Sequence, residues 1–336
     1  MNMQRPAAPQ SPVLRSVPLD AVRVVAMLAI VAGHVWGNSP ARPYLYSWHV
    51  PVFFVLSGYL WKAGRPLGQV AARRAKSLLI PYAAWLLILA AVALSIESTR
   101  GGVDPTRPLE ILWGGQFATG RPFWAIWFVP VLYFASVIYA LIARFPLPVQ
   151  WVIALALCVA AVYVPGQGAR YLPLGLGLAP PGVLFIVAGV TLRRLRPSHP
   201  VRTGVLLLAV SFTSVALGAS DPVDVKQLDL GTPVLSAIVA VAISAGLILL
   251  AEGLLAGVPA AWGRVVTPLA RASLTVLFLH VLVLTAMHAL GLPKPAAFVL
   301  TVCVTWGVGL LLTRAPHGWI LTGVPPAQRE PAPARQ

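Results

Sequence analysis

Apolar residues run along this chain in long blocks separated by short polar stretches. The blocks place candidate membrane spans at about 20–37, 45–61, 77–96, 123–143, 149–164, 181–194, 203–219, 232–251, 270–290 and 296–313. Most approach or reach the roughly 20 residues with which an α-helix crosses the hydrocarbon core. The fifth and sixth are the shortest, and boundaries are loosest over 149–194. The strict apolar–polar alternation of a membrane β-barrel is absent from the sequence. The pattern predicts an all-α, polytopic transmembrane helix bundle of about ten spans. It separates an N-terminal arm (1–18), a transmembrane domain (19–314) and a Pro/Ala-rich tail (315–336). No small-residue cleavage site follows the first block, so that helix is expected to be retained rather than removed as a signal peptide.

Composition strengthens this reading. Of 336 residues, 58% are apolar and 10% charged, against about 25% charged in ordinary soluble domains. The formal net charge is +16. The cations do not form the stripe of a nucleic-acid-binding surface. They gather between apolar blocks, as topology signals do. With the N-terminus in the cytoplasm, seventeen Lys and Arg fall on inner segments and seven on outer ones, leaving Arg23 inside the first span. That asymmetry predicts both termini in the cytoplasm and an even number of spans. The expected location is a bacterial plasma membrane. Cys158 and Cys303 lie within apolar blocks and read as packing residues. No metal site and no resident cofactor are expected.

The candidate chemistry begins in the first block, where Asp20, Arg23 and His34 interrupt an otherwise apolar helix. Ionisable groups at such positions usually face a bundle interior or a wet cavity. Eleven residues at 100° each bring Arg23 and His34 to within roughly 20° of one face, about 16 Å apart along the axis. His34 suits proton transfer near neutral pH, or else a helix–helix hydrogen bond. Arg23 either binds an anion or pairs with Asp20, or it snorkels to the interface. His49, at the start of the second block, falls at a similar depth to His34. His280 lies mid-span and is a functional candidate by position. Arg73, Arg74 and Lys76 form a basic stretch able to hold phosphates or simply to anchor topology. The aromatic runs Trp113-Gly114-Gly115-Gln116-Phe117 and Phe123 to Phe128 suit either sugar stacking or an interfacial belt. Metalloprotease, Walker and nucleophile-elbow motifs are absent.

Taken together, these stretches resemble the acyltransferase 3 family of membrane O-acyltransferases. The resemblance is carried by Leu19-Asp20-Ala21-Val22-Arg23 through His34, then Phe53-Phe54-Val55-Leu56-Ser57-Gly58-Tyr59, then Arg73-Arg74-Ala75-Lys76-Ser77-Leu78-Leu79-Ile80-Pro81-Tyr82. Trp127-Phe128-Val129-Pro130 and the segment Ser273 to His280 extend it, so that it spans 19 to about 285. His49-Val50-Pro51-Val52-Phe53-Phe54 resembles the fucose 4-O-acetylase-like subgroup.

The resemblance implies ten core helices and transfer of an acyl group, often acetyl, from cytoplasmic acyl-CoA as co-substrate to a hydroxyl on a glycan, glycolipid or glycosylated metabolite. It implies His34 as the catalytic histidine, with Arg23 supporting it. Arg73, Arg74 and Lys76 would bind the donor, and Asp20, His49, Ser57, Trp127 and His280 would line the site. Two other classes suit a ten-span bundle with buried charges. A transporter or flippase for a glycan or lipid-linked precursor should show internal repeats, and no convincing repeat relates the two halves. A non-catalytic partner of a polysaccharide-assembly complex leaves the pairing of Arg23 with His34 without a task.

Overall fold

The computed structural model describes residues 17–115, 120–163 and 165–324. Fourteen α-helices follow one another: α1 (Val17–Trp36), α2 (Arg42–Tyr46), α3 (Pro51–Tyr59), α4 (Leu67–Arg74), α5 (Ile80–Thr99), α6 (Arg107–Trp113), α7 (Phe128–Ile142), α8 (Leu147–Tyr163), α9 (Ala179–Leu195), α10 (Pro200–Ala216), α11 (Leu235–Leu255), α12 (Ala260–Ala289), α13 (Lys294–Leu312) and α14 (Trp319–Thr322). Among the described residues the sole β feature is an isolated bridge between Asp224 and Asp229. Among the described residues seven helical segments are long and apolar enough to cross a membrane, and α8 and α10 are shorter apolar helices.

The second expected span, 45–61, is not one helix. It divides into α2, a turn and the nine-residue α3. Pro51 has no N–H to continue a preceding helix and instead occupies the first turn of a new one, where no N–H is needed. The turn is held by its own side chains. Ser47 Oγ donates to Pro43 O at 2.6 Å, Trp48 Nε1 to Tyr44 O at 2.8 Å, and His49 Nδ1 to Leu45 O at 2.7 Å. At about 1.5 Å per residue α3 rises about 14 Å, under half of a hydrocarbon core roughly 30 Å thick. The expected ninth span gains about ten residues at its start, because α12 continues through Pro268.

Between α4 and α5 the chain makes one π-helical turn, Ala75–Leu79. Pro81 cannot donate to the Ser77 carbonyl four residues back. Gly323 sits against that oxygen, where a Cβ would stand 2.2 Å away, and has φ +67. Glycine meets both demands. The segment after α13 thus returns to pack α14 on α5, where Trp85 Nε1 donates to Leu321 O at 3.0 Å.

Among the described residues the core is one large apolar cluster, with a small separate one of Val35, Leu284 and Ala297. α1 lies against α11, α12 and α13, and α3 lies against α9. The α3–α9 contact is made backbone to backbone. A Cβ on Gly58 would stand 1.9 Å from Ile186 O, and one on Gly189 would stand 2.0 Å from Val55 O. Lipid offers no hydrophobic drive between helices, so close approach at small residues supplies the packing. Gly58→Ala should push α3 off α9 and lower the thermal midpoint in detergent, with the roughly 1–3 kcal/mol cost of overpacking. An unchanged midpoint would show that the two helices do not depend on this contact.

Candidate functional site

Helix α1 carries a charged pair near its start and an imidazole near its end. Arg23 Nη1 lies 2.5 Å from Asp20 Oδ1, with Asp20 1% and Arg23 29% exposed. Asp20 stands in the first turn, where the helix dipole favours an anion. Close by, Arg74 Nη2 donates to Ser57 Oγ at 2.7 Å. Arg74 is half-buried and within electrostatic reach of Arg23 and Arg65. Arg73 and Lys76 are exposed. Adjacent helical residues diverge by about 100°, so Arg73 and Arg74 cannot both face α3. Lys62, Arg193, Arg194 and Arg196 gather around Gly58 at this same end.

His34 stands at the opposite end of α1. Its ring centroid lies 4.9 Å from that of His280 on α12, and it stacks on Trp124 at 6.3 Å with planes 17° apart. His280 is fully buried, and its Nδ1 faces Val276 O and Leu277 O at 3.0 and 2.9 Å. A carbonyl can only accept, so the proton belongs on Nδ1 and the lone pair on Nε2. That Nε2 is buried and has no hydrogen-bond partner. His49 is anchored in the same way through Nδ1 to Leu45 O. Its Nε2 faces α1 at Gly33, where a Cβ would come within 3.6 Å. Three imidazoles from three elements therefore converge, two of them with the tautomer fixed by backbone carbonyls.

His34 and His49 line a cavity of about 470 Å³ together with Trp124 and Trp127. His280 stands behind His34 rather than on the cavity wall. Sequence reasoning missed Arg121, Asp224 and Lys226, which complete the wall. Arg121 lies over the Trp124 ring at 5.0 Å, and Lys226 Nζ lies 3.4 Å from Trp124 O. Arg42 Nη2 approaches Asp224 Oδ2 at 3.5 Å. Burial holds the Asp224 carboxyl above the usual range, although the Gln227 amide and Arg42 draw it back. Burial also holds Lys226 below the usual lysine range, partly offset by Asp224. The signal in the sequence was the run of charges in the 219–231 linker, but nothing there showed that the linker folds over His34. Trp113 instead donates to Tyr171 O at 2.9 Å away from this cavity; Gln116 and Phe117 lie outside the described residues.

The arrangement thus has two ends. His34, His49, His280 and Trp127 come together at one, and Asp20, Arg23, Ser57 and Arg74 at the other. The first is suited to taking a proton from a hydroxyl, with an aromatic and cationic wall for a sugar-like ligand. The second is suited to anions. No group of three or more possible metal ligands occurs among the described residues. Cys158 and Cys303 are free thiols.

The acyltransferase 3 family, described as an acyltransferase domain, matches residues 17–314. The chain therefore belongs to this family of membrane acyltransferases. It is a multi-pass membrane enzyme that uses an acyl donor, which decides between the enzyme and the transporter or non-catalytic readings. No curated protein and no solved structure matches it.

Arg23→Met should strand the buried Asp20 carboxylate. Removing one partner of a buried pair costs roughly 3–5 kcal/mol, and the 29% exposure of Arg23 puts this case at the low end. Thermal unfolding in detergent should show the double variant Asp20→Asn/Arg23→Met regaining most of the loss. No recovery in the double variant would show that the two groups do not act as a pair.

Proposed function

We propose that this enzyme moves an acetyl group from acetyl-CoA to a hydroxyl of a carbohydrate, whether glycan, glycolipid or glycosylated metabolite. The observation that carries this reading is the convergence of His34, His280 and His49 beside a cavity walled by Trp124 and Trp127. The His49-Val50-Pro51 run supports the fucose 4-O-acetylase-like subgroup. The clustering of Arg23, Arg74, Lys62 and Arg193 at the far end supports a cytoplasmic face there, with both termini inside. The donor's phosphates dock on that face with Arg74 as the main contact. Its pantetheine arm runs alongside α1, whose Arg23-to-His34 length is about 16 Å. The acceptor enters at the Trp124 end.

In this mechanism His34 takes the proton from the acceptor hydroxyl as its oxygen attacks the thioester carbonyl. The new C–O bond forms, the C–S bond breaks, and the departing thiolate receives the proton from His34. His280, held by two carbonyls, packs its ring 4.9 Å from that of His34 and keeps that ring in place. Arg23, fixed by Asp20, organises the donor end rather than touching the reacting atoms.

Radiolabelled acetyl-CoA, supplied to the enzyme in nanodiscs with a membrane-glycan extract, tests this. His34→Ala should lower transfer by about 10²–10⁴-fold, the usual worth of a general base. A folded His34→Ala variant of near-normal rate would sink the mechanism. Arg74→Ala should raise KM for acetyl-CoA with kcat nearly unchanged, the signature of lost uniform binding. Arg73→Ala and Lys76→Ala, at exposed positions, should change KM by less than about threefold. Equal KM effects at all three positions would mean that the inward turn of Arg74 has no part in donor binding.

A further inference from the structure

A second and larger cavity opens sideways among the membrane helices. It encloses about 1110 Å³, at the upper edge of the roughly 300–1,000 Å³ typical of small-ligand sites. α8 and α11 each pack on α9, and the slot is the gap between them. Leu155, Val159 and Ile238 face it and are 54%, 46% and 57% exposed. Between Trp151 and Val162 α8 follows the slot for about 16 Å, half the thickness of the hydrocarbon core.

One end of the slot is polar. There Arg170 Nη2 donates to Gln227 Oε1. Gln227 closes the turn Val225–Gln227, and Val225 and Lys226 of that same turn wall the His34 cavity. A single turn therefore has the apolar slot on one side and the reaction cavity on the other. Arg170 and Lys226 place positive charge along the crossing, set against Asp229 on the slot side and Asp224 on the cavity side, and Arg121 and Lys294 add further positive charge to the cavity wall.

We propose that the slot holds the hydrocarbon chain of a lipid-linked carbohydrate acceptor, whose anionic head group crosses the Val225–Gln227 turn and brings its hydroxyl to His34. This rests on the acetyl-transfer reading above and names the class of acceptor. A bilayer phospholipid would fill the slot equally well, but would not account for its ending at the reaction cavity beside Lys226. The bilayer is as apolar as the slot, so seating the chain adds little affinity. Its gain is orientation, which holds the reacting hydroxyl in register with the base.

The test uses the full chain in nanodiscs with radiolabelled acetyl-CoA and a lipid and glycan extract of the source membranes. Ala242→Trp fills the slot, and Leu206→Trp places the same bulk on an outer face that is 63% exposed. Both variants are first checked for an unchanged thermal midpoint. Label should enter the organic-extractable fraction with wild type and with Leu206→Trp, and fall by about tenfold or more with Ala242→Trp. In parallel, hexadecyl phosphate with a terminal diazirine should cross-link to Leu155, Val159 or Ile238 in wild type and in Leu206→Trp, and much less in Ala242→Trp. Equal transfer by Ala242→Trp, or label confined to water-soluble glycan, would overturn the slot assignment while leaving acetyl transfer intact. Cross-links only elsewhere, or an undiminished cross-link in Ala242→Trp, would also overturn it. No label in any fraction, with the cross-link intact, would instead remove the acetyl-transfer reading and the slot's role as an acceptor site with it.

Discussion

A polar side chain inside a membrane bundle must find its partner close at hand, and this constraint shapes the site. The interior offers no water, and the backbone has already paired most of its own groups. What remains is the helix carbonyl three or four residues back. His280 and His49 both use it, each through Nδ1. The anchoring satisfies one nitrogen and in doing so fixes the tautomer, so the other nitrogen is left as an acceptor. A structural need of the bundle thus prepares the chemistry. Ser136, Ser244, Thr285 and Thr305 make the same kind of bond without any link to the site. The device is general, and its placement beside His34 is what the proposed mechanism draws on.

Charge is organised by the same economy. Arg23 would be an expense in hydrocarbon, and it sits beside a carboxylate on its own helix. Arg74 reaches a serine hydroxyl on α3. The first pairing stays within α1 and the second ties the end of α4 to the end of α3, which holds the basic end in a shape that a flexible lysine could not provide. At the far end, Arg42, Asp224, Lys226 and Arg121 close over Trp124 through loop contacts rather than helix packing.

Much of this was legible in the sequence, for identifiable reasons. The Arg23–His34 spacing is a property of one rigid helix, so their shared face and separation follow from the helical repeat alone. The closeness of His34 to His49 follows from a short connection. His280 was found because a mid-span imidazole is rare. Its place behind His34 depends on how α12 lies against α1, which no local pattern encodes. The break in the second span was written in Pro51, but the apolar run around it hid the proline's effect. Arg73, Arg74 and Lys76 are neighbours in sequence, but helical rotation turns Arg74 toward Ser57 and leaves the other two exposed, which a run of basic residues does not reveal. The wall formed by Arg121, Asp224 and Lys226 belongs to loops, and loop closure over a cavity has no periodic signature.

The shortness of α3 has an electrical consequence. A helix of nine residues leaves the bilayer's insulation incomplete at the position where both ends of the protein are most polar. The gap must be filled by side chains. Phe53 and Phe54, between the His49 and Ser57 levels of α3, both meet Phe128 edge-on, at 5.5 and 5.4 Å. Their rings fill the space between α3 and α7. In the proposed mechanism the reaction centre lies beside these rings, and a donor arm reaching His34 would have to part them without opening a path for ions.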